Sequence, residues 1–331
     1  MMKQKFGCLG IFVTLLLMVS LLLNLVFLAI QGSKKVTTET KTTKIREEYF
    51  SGDTTSSNKI ALIDLVGIIN SEQHGQFGDN MVEDLTMQLD FALKDPDVKA
   101  IILRIDSPGG EVTASDIIYH QLSRARAKKP IVVYMQSVAA SGAFYSAMGC
   151  SYLIASDTTI TASIGVIMES YNYMDLLGKV GVKAITFKSG KLKDLLSPTR
   201  EMTEEEKAFV QALIDETYGK FVGIVARERK LDEEILRRDI ADGRILSGKQ
   251  ALQAKLIDGL GYFEDAVTKA KDLGKTPDAK IIRYLPSFSL ERFFGALVES
   301  HVGAVKVQLG PDTLPMVTGK FYYLCPLMVG R

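Results

Sequence analysis

An α/β fold is what this sequence predicts, on three observations. Short apolar runs recur that are too brief for core helices, amphipathic stretches separate them, and glycine-rich turns mark the transitions. The first run, IALIDLVGII from Ile60, is β-branched and reads as a buried strand. Residues 81–93 carry helical spacing, and AIILRID (100–106) reads as a second strand. SPGG (107–110) is expected as a turn, 112–129 as a helix ending in basic residues, and IVVYM (131–135) as a third strand. A short helix of small residues (SGAFYSAMG) and the strands YLIAS and VKAITFK (182–188) continue the alternation. The spacing of Thr203 and Glu206 predicts a capped start for a long helix, striped by Val210, Leu213, Ile214, Phe221, Val222 and Val225.

The ends differ from this body. Residues 7–30 carry no charge and as a helix would run ~36 Å, enough for a ~30 Å hydrocarbon layer. LAIQGS is a poor cleavage site, so the run is expected to stay as one N-terminal transmembrane helix instead of leaving as a signal peptide. Lys3 and Lys5 precede it while Lys34, Lys35, Lys41, Lys44 and Arg46 follow, so charge alone does not orient it. Four segments result: a membrane anchor at 1–31, a polar tether at 32–58, a folded domain at 59–285, and a loosely patterned apolar tail at 286–331.

Composition narrows the chemistry. The 331 residues carry a formal net charge of +1 without a long block of one sign, which gives nucleic acid nothing to bind. Cys8, Cys150 and Cys325 lie far apart, and His74, His120 and His301 stand in no metal-binding spacing. No metal and no cofactor is expected.

Two turns remain as candidates. DSPGG (106–110) and VAASGAFYSA (138–147) each follow a strand and open a helix, where free backbone N–H groups favour negative charge. Either alone reads as a plain structural turn; together, one donor from each would form an oxyanion hole. Ser141, flanked by Ala139, Ala140, Gly142 and Ala143, has an uncrowded hydroxyl. With no histidine near either turn, its base would be a lysine. A lysine base must be brought from ~10.4 to ~7–8, about 4 kcal/mol of desolvation. Lys188, Lys191 and Lys193 are available, and spacing does not choose among them.

SVAASGAFY, SGKLKDLLSPTR and ADGRILSGKQALQAKLIDGLGYFEDAV, in this order within residues 59–283, resemble the signal peptide peptidase A family of the Clp/crotonase superfamily. The resemblance implies a superhelix of repeated β-β-α units without a cofactor. It places the nucleophile on Ser141, the general base on Lys193, oxyanion donors on the backbone of Gly110 and Gly142, and a lysine-orienting hydroxyl on Ser163. Where Clp peptidases carry a histidine, this chain has SIGV (163–166). The family cuts remnant signal peptides and other apolar peptides at the membrane, which implies a cytoplasmic N-terminus and an extracytoplasmic catalytic domain. Its short form is a homo-oligomer, an octameric ring in which serine and lysine come from neighbouring protomers. Three rivals stand beside it: a Clp-fold membrane peptidase that clips stomatin-like partners, a crotonase-fold acyl-CoA binder, and a catalytically dead scaffold, against which the intact Ser141 and Lys193 argue. The tail run FYYLCPLM (321–328) has two readings, a last strand packed on the body or a substrate-like segment lying in the groove and trimmed there.

Overall fold

The computed structural model describes residue 10, residues 13–21, residue 24, and residues 45–71, 80–286 and 320–326. The chain divides into two units, residues 1–43 and 44–331. In the first, residues 13–21 are helical, and the remainder of the expected membrane run lies outside the described residues. Among the described residues no helix is long and apolar enough to cross a membrane. His74, His301, Cys8, residues 32–44 and residues 287–319 also lie outside them.

The second unit is built on a mixed nine-stranded sheet. Its strands are β1 (Ile45–Ser51), β2 (Lys59–Val66), β3 (Val98–Ser107), β5 (Ile131–Ala140), β6 (Tyr152–Ala155), β7 (Ile160–Ala162), β8 (Ile245–Ser247), β9 (Gly259–Leu260) and β10 (Lys280–Pro286). The path runs β1-β10-β2-β3-β5-β6-β9, with β7 against the far half of β5 and β8 beyond it. From β10 to β9 every pairing on the path is parallel; β1 closes one edge antiparallel to β10. Helices are α1 (Met81–Lys94), α2 (Val112–Arg126), α3 (Gly142–Ala147), α4 (Met174–Lys179), α5 (Glu204–Arg229), α6 (Glu233–Asp239), α7 (Gly248–Gln253) and α8 (Phe263–Leu273).

Strand periodicity sorts the core. Ala61, Ile63 and Leu65 of β2 face a large cluster with α1, α2, α3 and α5, while Ile60 and Leu62 face a smaller one under α8. A sheet buried on both faces needs near-continuous apolar strands, and β2, β3 and β5 have them. The α/β class read from the sequence is the class observed.

Four local expectations are corrected. VKAITFK (182–188) is not a strand: its residues are exposed, and none enters the sheet. Its alternation of β-branched and polar residues suits pairing, but the sheet passes it by. SPGG is more than a turn, because Gly109–Glu111 forms a short strand, β4. Within the stretch read as tether, Ile45–Ser51 is β1, held through the ladder to β10. The stripe on α5 is buried only in its second half, at Phe221, Val222 and Val225. The capping box of Thr203 and Glu206 forms as expected.

Candidate active site

The carboxyl ends of β3 and β5 lie side by side, with Ser107 opposite Ala139. Such ends are where parallel sheets place ligands. The register shifts between Ile105 and Ser107, and there Val138 donates its N–H to the Asp106 carboxylate at 3.1 Å. That step brings the two glycine-rich turns together.

Ser141 is the residue between β5 and α3, with φ 53° and ψ −114°. A side chain in this region is strained, and strain of this kind persists only where surrounding contacts fix it. They do: the Ser141 N–H donates to the Ala162 carbonyl at 2.7 Å, and its own carbonyl accepts from Tyr145 at 2.8 Å. Ala162 and Ser163 also have positive φ, 64° and 53°. Ser163 donates its N–H to the Arg244 carbonyl (2.9 Å) and turns its hydroxyl to the Gly243 carbonyl (3.4 Å). The pairing of Ala140 with Ala162 therefore sets Ser141 and Ser163 at adjoining strand ends.

Two glycines stand where an added side chain would meet close neighbours. Gly109 has φ +94°, and a Cβ there would collide with the Tyr323 carbonyl oxygen and lie 2.6 Å from the Gly142 nitrogen. A Cβ on Gly142 would strike the Ser115 hydroxyl and come within 3.0 Å of the same Tyr323 oxygen and 3.2 Å of the Gly110 nitrogen. The backbones of Gly110 and Gly142 thus meet at one spot, and the Tyr323 carbonyl oxygen sits there.

Tyr323 belongs to the tail. Strand β11 (Tyr322–Leu324) pairs antiparallel with β4, Tyr323 opposite Gly110. Val112 N–H to Phe321 O (3.2 Å) and Cys325 N–H to Pro108 O (2.9 Å) flank that pair, so the ladder's alternation makes Gly110 and Tyr323 a hydrogen-bonded pair too. On its other edge Tyr322 exchanges both bonds with Ile167, each 3.0 Å. The tail is the middle strand of a slot. The Tyr323 side chain is buried, its ring centre 4.9 Å from Tyr145 and 4.6 Å from Phe221, and its hydroxyl donates to the Thr217 carbonyl at 3.0 Å. Burial pushes the Tyr323 hydroxyl pKa up, and burial with the Asp116 hydrogen bond does the same for Tyr145. Both stay protonated donors.

The three lysines fall on one exposed loop and are not equivalent. Lys188 pairs with Asp194 at 2.6 Å and Lys191 pairs with Glu205. Among the described residues Lys193 has no carboxylate partner, and its N–H closes a turn on the Gly190 carbonyl at 3.1 Å. Asp194 is gripped by Arg200 through both oxygens, each at 2.8 Å, and Arg200 reaches on to Glu206 at 2.5 and 2.9 Å. Arg200 and Lys188 hold the Asp194 carboxyl well below its ordinary range; Arg200 and the Thr203 N–H bring Glu206 to about 2. The turn carrying Lys193 is therefore clamped to the start of α5. No hydrogen bond joins Lys193 to Ser141 or Ser163 among the described residues. The structure brings together Ser141, Ser163, Gly110 and Gly142, while Lys193 lies on the exposed loop.

Sequence reasoning missed Gly109, the aromatic pocket of Tyr145 and Phe221, and the Asp194–Arg200–Glu206 clamp. Only Gly109 carried a signal, as the first glycine of SPGG.

The family model for peptidase family S49 matches residues 123–276, and that for Clp protease matches 61–156. A candidate signal peptide peptidase SppA of Enterococcus faecium is 34% identical over 76% of this chain and 72% of its own length. A candidate protease of Methanocaldococcus jannaschii is 41% identical over 59% of this chain and 63% of its own. Protease 4 of Salmonella typhi is 39% identical over 57% of this chain and 30% of its own. The chain thus spans less than two thirds of the length of the last two.

Proposed function

This chain belongs to peptidase family S49, the family of signal peptide peptidase A, and on that premise we propose that it is a membrane-anchored serine endopeptidase acting through Ser141 and Lys193. Its substrates are apolar peptides, remnant signal peptides among them. The observation that carries this reading is the Tyr323 carbonyl, set between Gly110 and Gly142 beside the strained Ser141. An extended peptide seated as the tail is would offer its carbonyl to two N–H donors, which stabilise the oxyanion formed on attack. Ser141 Oγ bonds to the carbonyl carbon as Lys193 Nζ takes its proton. The C–N bond then breaks, the leaving amine receives that proton, and water releases the acyl group by the same route. Ser163, at the adjoining strand end, orients the lysine.

Lys193 reaches Ser141 of a neighbouring protomer, in a ring of eight. Its loop is exposed and carries two bare apolar side chains, Phe187 95% and Ile185 75% exposed, which a second copy would bury. The same burial would strip water from Lys193, as a neutral lysine base demands. The finer fold is the β-β-α superhelix of Clp proteases. The uncharged run at 7–30 spans the membrane, with the N-terminus cytoplasmic and the second unit outside. Stomatin-type cleavage and acyl-CoA binding are not favoured by any feature of the slot. A fluorophosphonate probe on the full-length protein is expected to label wild type and spare Ser141→Ala. Equal labelling of both, or of neither, rejects the serine mechanism.

The tail is itself a substrate on this reading. With its carbonyl over the oxyanion donors, Tyr323 is the residue before the cut, and hydrolysis of the Tyr323–Leu324 bond releases the segment from Leu324 onward. Intact-mass measurement after long incubation is expected to show wild type ending at Tyr323 and Ser141→Ala retaining full length. Identical full-length masses would leave the tail a packing element only.

A further inference from the structure

Three residues ahead of Tyr323 the tail carries Lys320, whose ammonium donates to Glu111 Oε1 at 2.8 Å. Glu111 ends β4, directly after Gly110, so its carboxylate sits on the wall of the slot. Its two oxygens are divided. Oε2 accepts the Ser71 N–H at 3.0 Å and the Ser71 hydroxyl at 2.7 Å, bonds made within the domain itself. Oε1 meets the tail. The residue is buried overall, with its side chain 12% exposed. Burial alone would raise the Glu111 carboxyl, but Lys320 and Ser71 outweigh it and hold the group below its usual range. A carboxylate fixed by its own fold, with one oxygen turned to the peptide path, is pre-organised for a cation.

We propose that Glu111 is a specificity-determining residue that selects peptides carrying a Lys or Arg three residues before the residue whose carbonyl is cleaved. The assignment rests on the peptidase reading above and on the tail lying as substrates lie. The preferred substrate is an apolar, extended peptide with a single cation at that position, an aromatic residue at the cut, and no charge between. Lys320-Phe321-Tyr322-Tyr323 is the chain's own example.

Two synthetic peptides test it on the full-length enzyme: KFYYLSPL and its variant with Glu in the first position, each with a blocked amino terminus. Wild type is expected to favour the Lys peptide about tenfold in kcat/KM, the scale of one partly exposed charge-assisted bond. Glu111→Gln should flatten the ratio to near one, and Glu111→Lys should invert it. The peptide comparison needs no substitution, so it stands even if a Glu111 variant folds poorly. Hydrolysis that depends on Ser141 but is blind to the peptide's charge overturns the Glu111 assignment and leaves the peptidase reading intact. A tenfold preference that persists in folded Glu111→Gln overturns it as well. Hydrolysis unaltered in Ser141→Ala overturns the peptidase reading, and the assignment falls with it.

Discussion

Ser141→Ala and Lys193→Ala are each expected to lower peptide hydrolysis by about 10⁴-fold or more, because a nucleophile and its base act as one unit. Neither change should cost much stability. The Ser141 backbone makes the contacts that hold its turn, and the Lys193 side chain has no carboxylate partner among the described residues. In wild type the rate should rise with pH, since the base must lose its proton before it can take one from serine. The clamp under Lys193 does not blur that reading. Glu206 is shifted from 4.5 to about 2. A lowered carboxyl contributes stability that is complete above about pH 4.5 and fades as the pH falls toward 2. The loop is thus intact wherever the base titrates. Co-expressing the two inactive variants is the sharper test: if the proposed ring forms, a mixed ring would pair an intact Ser141 with an intact Lys193 across a boundary, and hydrolysis is expected to return. Rings shown to be mixed that stay inactive would place both residues in one chain.

Gly142→Ala is expected to cost about 10²- to 10³-fold in kcat/KM, the scale of losing one oxyanion donor. Its added methyl group would sit 3.0 Å from the Tyr323 carbonyl oxygen, where a substrate's carbonyl oxygen belongs. The fold should tolerate it. Gly142 opens α3, φ is not positive there, and alanine is the better helix former. The clash with Ser115 is with a hydroxyl that can rotate away from the Glu111 carbonyl it now bonds. Gly109→Ala is the contrast, since positive φ and a backbone collision oppose it together. Thermal melts should separate the pair, Gly142→Ala close to wild type and Gly109→Ala well below. Wild-type kcat/KM in Gly142→Ala would remove its N–H from the oxyanion site.

Much of this architecture is written locally, and what is not fails for physical reasons. The runs forming β2, β3 and β5 are apolar on both faces, as only a doubly covered parallel strand requires, and they read without ambiguity. VKAITFK has strand-like composition but no partner strand among the described residues, a tertiary fact that propensity does not carry. Ser141 stands out through its small neighbours, whereas its φ of 53° follows from the Ala162 bond, twenty-one residues away. The choice of Lys193 over Lys188 and Lys191 came from resemblance. The ion pairs of Lys188 with Asp194 and of Lys191 with Glu205 are a distinction that residue spacing does not carry. The tail's apolar character was plain, but its pairing with β4 joins residues more than two hundred positions apart.

A slot with a backbone partner on either side makes a demand on the shape of whatever enters it. Lys320–Cys325 lies between β4 and Ile167 drawn out at about 3.3 Å per residue, so six residues reach roughly 20 Å. As a helix the same six would occupy about 9 Å, with every N–H already committed inward. On the proposed function, a helical apolar peptide would have to unwind before it could be cut, giving up internal hydrogen bonds for those the walls offer. A well-folded protein, whose segments do not let go of their own partners, would be spared on the same ground. Selection begins with the unfolding free energy of the target, before any side chain is inspected.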